Sequence, residues 1–144
     1  MEEDEYKSTY GELASVRCVF EKTLTNRRAR CSLSRHFCLA DREGYSCKDV
    51  EASAKCGEFL KELRKKSLFV LKLRDIDAPL PHNKELRVQA GGVAGVAKLV
   101  AADIDDIYSV IKQAINKFGS LENLPYSDII QSVEQFQGRP GRQR

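Results

Sequence analysis

Apolar residues recur at helical spacing along most of this chain, and the breaks between the recurrences divide it into five or six elements. Leu13, Val16, Phe20 and Leu24 form one stripe. With Thr9 and Glu12 in capping-box positions they predict a helix from near Tyr10, although the alternation Val16, Cys18, Phe20 also fits a short strand. The stretch Cys31–Leu39 predicts a short helix, closed by a break at Asp41–Tyr45 around Gly44. Ser46 and Asp49 again have capping spacing, and the longest helix is expected from there to about Arg74. Its apolar face is Cys56, Phe59, Leu60, Leu63, Ser67, Val70 and Leu71, and its wet face is Glu58, Lys61, Glu62, Lys65 and Lys66. The end of that segment, Leu68–Leu71, also reads as a strand. Pro79 and Pro81 fix a loop over 74–84.

Glu85–Ala90 fits strand or helix, and the small residues from Gly91 predict a helix ending near Ala101. Asp103 is expected to cap a helix that buries Ile104, Ile107, Tyr108, Ile111 and Ile115 and stops at Gly119. Ser120–Leu124 reads as a single turn. Ser127 is expected to cap a last helix burying Ile129, Ile130, Val133 and Phe136. The pattern therefore predicts a mainly α fold, a bundle of about five or six helices with one or more possible short strands. Residues 1–8 read as a flexible acidic lead, 9–137 as one domain, and 138–144 as a disordered basic tail.

Composition supports a globular chain: 144 residues, 42% hydrophobic and 31% charged. The net charge of +3 is too small to imply a nucleic-acid partner by itself. The acidic start lacks the apolar core of a signal peptide, and no apolar run approaches the roughly 20 residues of a membrane span. A cytoplasmic protein with no membrane partner is expected, in a compartment where structural disulfides are rare.

The cysteines change this picture. All five, Cys18, Cys31, Cys38, Cys47 and Cys56, fall within one stretch. Residues 17–56 carry nine Lys/Arg against five Asp/Glu, a net +4, and a basic surround favours thiolate over thiol. An odd count excludes a fully paired disulfide framework within one chain. No pair is C-x2-C, which argues against zinc ribbons, bacterial ferredoxins and thioredoxin-like motifs, but ligands may also converge from separate elements. On a helix, Cys31 and Cys38 share a face. If Cys47 opens the long helix, Cys56 lies half a turn out of phase and roughly 13 Å along it, so the two cannot serve one site unless the helix starts later. The preferred ligand set is Cys18, Cys31, Cys38 and Cys47, with Cys56 in the core, holding an iron–sulfur cluster or Zn. The competing reading makes all five small core residues. Arg30, Ser32, Arg35 and His36 around Cys31 and Cys38 are poor company for a core.

Other signals are weaker. Arg27, Arg28, Arg30 and Arg35 suit a phosphate backbone, but no aromatic platform or nucleic-acid motif accompanies them. Gly91-Gly92-x-x-Gly95 lacks the Lys and βαβ setting of a phosphate loop and reads as close helix packing. Asp103, Asp105 and Asp106 lack the Gly and Glu of a calcium loop and read as caps. His36 and His82 form no catalytic spacing, though either imidazole can replace a thiolate ligand, and no residue set nominates an enzyme. The expectation is a small cytosolic metal- or iron–sulfur-binding protein, acting as an electron carrier, sensor or accessory factor with a protein partner. The alternatives are a helical adaptor or nucleic-acid-associated module with incidental cysteines, and a thiol-redox protein.

Overall fold

Two 18-residue helices carry the core. In the computed structural model, which describes residues 2–13, 16–72, 80–102 and 106–137, these are α3 (Val50–Ser67) and α4 (His82–Leu99). Before them come α1 (Glu3–Leu13), α2 (Glu21–Thr25) and the strands β1 (Ser34–Leu39) and β2 (Arg42–Cys47). After them come α5 (Ile107–Phe118), a 3₁₀ turn at Leu121–Asn123, and α6 (Tyr126–Gln135). The described residues are thus mostly helical, with one two-stranded antiparallel sheet.

The stripe predicted for α3 is the one it buries: Phe59, Leu60, Leu63 and Ser67, followed by Leu71 in the turn beyond it. Phe59 and Leu63 meet Phe20 and Leu24 from α2 and its N-cap, Val93 and Val96 from α4, Ile107 and Ile111 from α5, and Ile129 and Val133 from α6 in one continuous core. The small residues of α4 let α6 approach. A Cβ on Gly91 would lie 2.7 Å from the Val133 Cα, and one on Gly95 would lie 3.0 Å from the Ile129 carbonyl oxygen. A polar thread crosses this apolar interior. Arg64 of α3 pairs with the buried Glu85 of α4, Gln89 Nε2 donates to Glu85 (2.9 Å), and Gln89 Oε1 accepts from the Thr23 hydroxyl (3.2 Å). Each member satisfies the next, as buried polar groups require.

Several expected boundaries move. Glu3–Leu13 is helical across most of the acidic lead, where Arg42 lies over the Tyr6 ring (4.3 Å) and pairs with Glu3 (3.3 Å). The helix expected from Tyr10 through Leu24 is not continuous. Residues 16–18 run beside β2 instead, with an Arg17–Ser46 bridge, Cys18 N–H donating to Tyr45 O (3.0 Å) and Cys47 N–H to Val16 O (2.7 Å). The alternation of Val16, Cys18 and Phe20 was the better guide.

Cys31–Leu39 forms no helix, and Ser34–Leu39 is the first arm of a hairpin. Its turn is Ala40-Asp41, both at positive φ (50° and 66°), the pairing required by a tight I′-type turn. α3 begins at Val50, because the Asp49 carboxylate accepts from the N–H groups of Glu51 (2.9 Å) and Ala52 (3.1 Å). Ser46 and Cys47 stay in β2. The ambiguous 85–90 segment is helical within α4. Asp106 caps α5, accepting from Ser109 N–H (3.5 Å), and Gly119 ends it at φ 94°. The expected cap Asp103 and the 138–144 tail lie outside the described residues. Ser127 is exposed inside α6, whose N-cap is Pro125. No described helix is long and apolar enough to cross a membrane.

Candidate metal centre

Four cysteines from four separate segments line one small cavity: Cys18, Cys31, Cys47 and Cys56. Backbone hydrogen bonds set their positions. Cys18 precedes α2 and is tied to β2 through Tyr45 O. Cys31 opens a tight turn in which Ser34 returns its N–H (3.1 Å) and hydroxyl (2.7 Å) to the Cys31 carbonyl. One residue earlier, Arg30 O accepts from Ile107 N–H (2.9 Å), pinning this turn to the start of α5. Cys47 closes β2, and Lys48 N–H donates to Leu33 O (2.8 Å). Cys56 lies in the second turn of α3, in a register set by the Asp49 cap. Because the helix starts after Cys47, the half-turn mismatch between positions 47 and 56 does not arise.

The cavity measures about 20 Å³, room for one water-sized sphere. Phe20, Leu33, Ala52, Ile107 and Tyr108 supply much of its wall. Burial pushes the Cys18 thiol up to about 12, despite a hydrogen bond from the Phe20 backbone that favours the thiolate, and Cys31 and Cys47 add to the rise. Burial likewise pushes Cys56 up to about 12, with the same neighbours Cys31, Cys18 and Cys47 adding to it. Cys31 is raised too, first by burial and then by Asp106.

Two thiols make hydrogen bonds at the cavity's margin. Cys31 Sγ donates to Asp106 Oδ1 (3.5 Å), and Cys47 Sγ donates to Asp49 O (3.1 Å). Among the described residues, no group of three or more His, Cys, Asp or Glu side chains is placed to hold a metal ion. Cys18, Cys31, Cys47 and Cys56 share the lining of one cavity, with the thiols of Cys31 and Cys47 engaged by Asp106 and the Asp49 carbonyl. Asp106 also accepts a short bond from the Ser32 hydroxyl. Burial raises its carboxyl, but the bonds from Ser32, Ser109 and Cys31 outweigh this and hold it below the usual range.

Cys38, expected in the ligand set, is exposed on β1 opposite Glu43 and does not line the cavity; Cys56, expected in the core, does. In a strand and turn, positions 31 and 38 no longer share a face. His36 packs at a tilt against Tyr45 (5.0 Å), His82 Nδ1 lies 2.9 Å from Lys22 Nζ, and neither imidazole is among the residues lining the cysteine cavity. The Asp106 contact went unforeseen from the sequence. Its signal was Asp-x-x-Ser at 106–109, which marks a cap but not what the cap touches.

A second, open cleft of about 480 Å³ adjoins the first. Arg27, Arg28 and Arg30 line it with Leu24, Ala29 and Tyr45, and Cys31 and Ser34 belong to both walls. Arg35 is exposed on β1 and lies off this lining. No family model matches the chain, and no curated protein or solved structure matches it.

Proposed function

We propose that this is a metal-binding protein whose centre is held by Cys18, Cys31, Cys47 and Cys56. The observation that carries this reading is the meeting of four of the five cysteines, from four separate segments, at one largely apolar cavity. Four thiolates are the donor set of structural Zn²⁺ and of iron–sulfur clusters. Burial raises Cys18, Cys31 and Cys56, against the thiolate-favouring surround expected from the sequence, so a bound cation must displace their protons and its affinity should increase with pH.

The donor set suits a structural Zn²⁺, whose part would be to fasten the hairpin, α2 and α3 together. An iron–sulfur cluster has the same donor set and needs the walls to move outward. It is the form that would make the protein an electron carrier or sensor.

Elemental analysis and visible absorption of anaerobically purified protein test the reading. About one zinc per chain, or iron with matching sulfide and a brown colour, is expected. Cys18→Ser and Cys47→Ser should each lose most of the metal, and Cys38→Ser should keep it. Metal-free protein with five freely titrating thiols rejects the proposal. A reversible disulfide among these cysteines in metal-free protein moves the reading to thiol redox chemistry.

A further inference from the structure

The open cleft beside the cysteines has its own chemistry. The chain leaves α2 through Arg27 at φ 57°, with Arg27 N–H donating to Leu24 O (3.1 Å) and Arg28 N–H to Thr23 O (3.0 Å). This left-handed turn brings Arg27, Arg28 and Arg30 to a single cleft. Arg27 pairs with Glu43 (3.1 Å), while Arg28 lies over the Phe136 ring (5.2 Å) and donates to Gln137 O (3.3 Å). Arg30 is exposed, and its backbone is pinned to α5. Three guanidiniums line the cleft and no carboxylate is among its lining residues, with Glu43 paired to Arg27 and Asp106 bonded to Cys31 nearby, so the lining is cationic.

Its volume lies within the range of small-molecule sites, and Leu24, Ala29 and the Tyr45 ring give it walls for an organic body. Guanidinium forks match phosphate oxygens in pairs. A nucleic-acid strand would need cations tracking along a surface, whereas Arg35, the next basic residue, stands apart from this cleft.

We propose that the cleft binds a small phosphorylated molecule, its phosphates on Arg27, Arg28 and Arg30 and its body against Tyr45 and Leu24. Cys31 and Ser34 form the shared wall, so this ligand sits directly beside the four-cysteine cavity. The proposal stands whether or not those cysteines hold metal.

Isothermal titration of the full chain with ADP, pyrophosphate, citrate and an oligothymidine tests it at physiological salt. Saturable binding of ADP or pyrophosphate at one site is expected. Arg30→Gln should weaken it about tenfold or more, as loss of one charge-assisted contact implies. Arg27→Gln combined with Arg30→Gln should abolish it, and Arg35→Gln should leave it unchanged. Circular dichroism confirms that these exposed substitutions fold. Absence of saturable binding to both phosphate probes overturns the proposal. So do citrate binding of equal strength, oligothymidine binding tighter than ADP, or an Arg30→Gln variant that binds normally.

Discussion

Glycine at 91 and 95 is set by the neighbouring helix, while glycine at 57 is not. In a helix interior, glycine costs roughly 0.5–1 kcal/mol relative to alanine. At Gly57 nothing lies within 4 Å of an added Cβ, so Gly57→Ala should stabilise the protein by about that amount. At Gly91 the same methyl lands 2.7 Å from the Val133 Cα and 3.0 Å from the Ser132 carbonyl oxygen. Backbone atoms of a packed helix cannot swing aside. Gly91→Ala should therefore destabilise by about 1–3 kcal/mol despite its better helix propensity. Paired thermal melts check the two signs, and a Gly91→Ala protein as stable as wild type would show that α4 and α6 are not in close contact. That the glycines serve packing was legible in the sequence, since they lacked a phosphate loop's Lys and strand. Which helix they admit was not, because a small-residue stripe names no partner.

At the scale of elements, legibility followed how local the determining interaction is. The faces of α3, α5 and α6 could be read because 3.6-residue periodicity needs no knowledge of the rest of the chain. The hairpin could not. Its turn is Ala40-Asp41, without the glycine or asparagine that announces a positive-φ turn. Phe37 lies across from Gly44, where a Cβ would fall 2.3 Å from its ring, and this cross-strand fit is invisible along the chain. The missed hairpin accounts for the difference between the cysteines expected to converge and those that line the cavity. A helix over 31–39 joins Cys31 to Cys38, whereas a strand sends Cys38 to solvent and leaves Cys47 and Cys56 to complete the quartet. Alanine at φ 50° carries a steric cost that glycine avoids. Ala40→Gly should accordingly raise stability by roughly 0.5–1 kcal/mol, measured by urea unfolding. A loss of stability would mean the turn does not have this geometry.

For the molecule as a whole, burial of Cys18 and Cys56 couples folding to pH, and the proposed metal would add a coupling of opposite sign. An ordinary thiol ionises near about 8.5. In the folded chain, burial carries Cys18 and Cys56 up to about 12. Between those values the folded protein holds protons that the unfolded chain has released, so metal-depleted protein should lose stability as pH rises from about 9 toward 12. Bound metal reverses the coupling. Thiolates held on a cation exclude protons, so the loaded protein should release its metal, and the stability that came with it, as pH falls. Urea midpoints measured from acid to alkaline pH, in reductant and with and without chelator, should show an alkaline fall in the chelated protein and an acid fall in the untreated one. Combining Cys18→Ser with Cys56→Ser should flatten the alkaline slope of the depleted protein. Coincident curves for chelated and untreated protein, both insensitive to acid, would leave the quartet as four half-buried thiols with no metal to bind them. The alkaline slope would then persist on its own, because it arises from burial and the acid limb does not. The two limbs thus separate the packing of these cysteines from their chemistry.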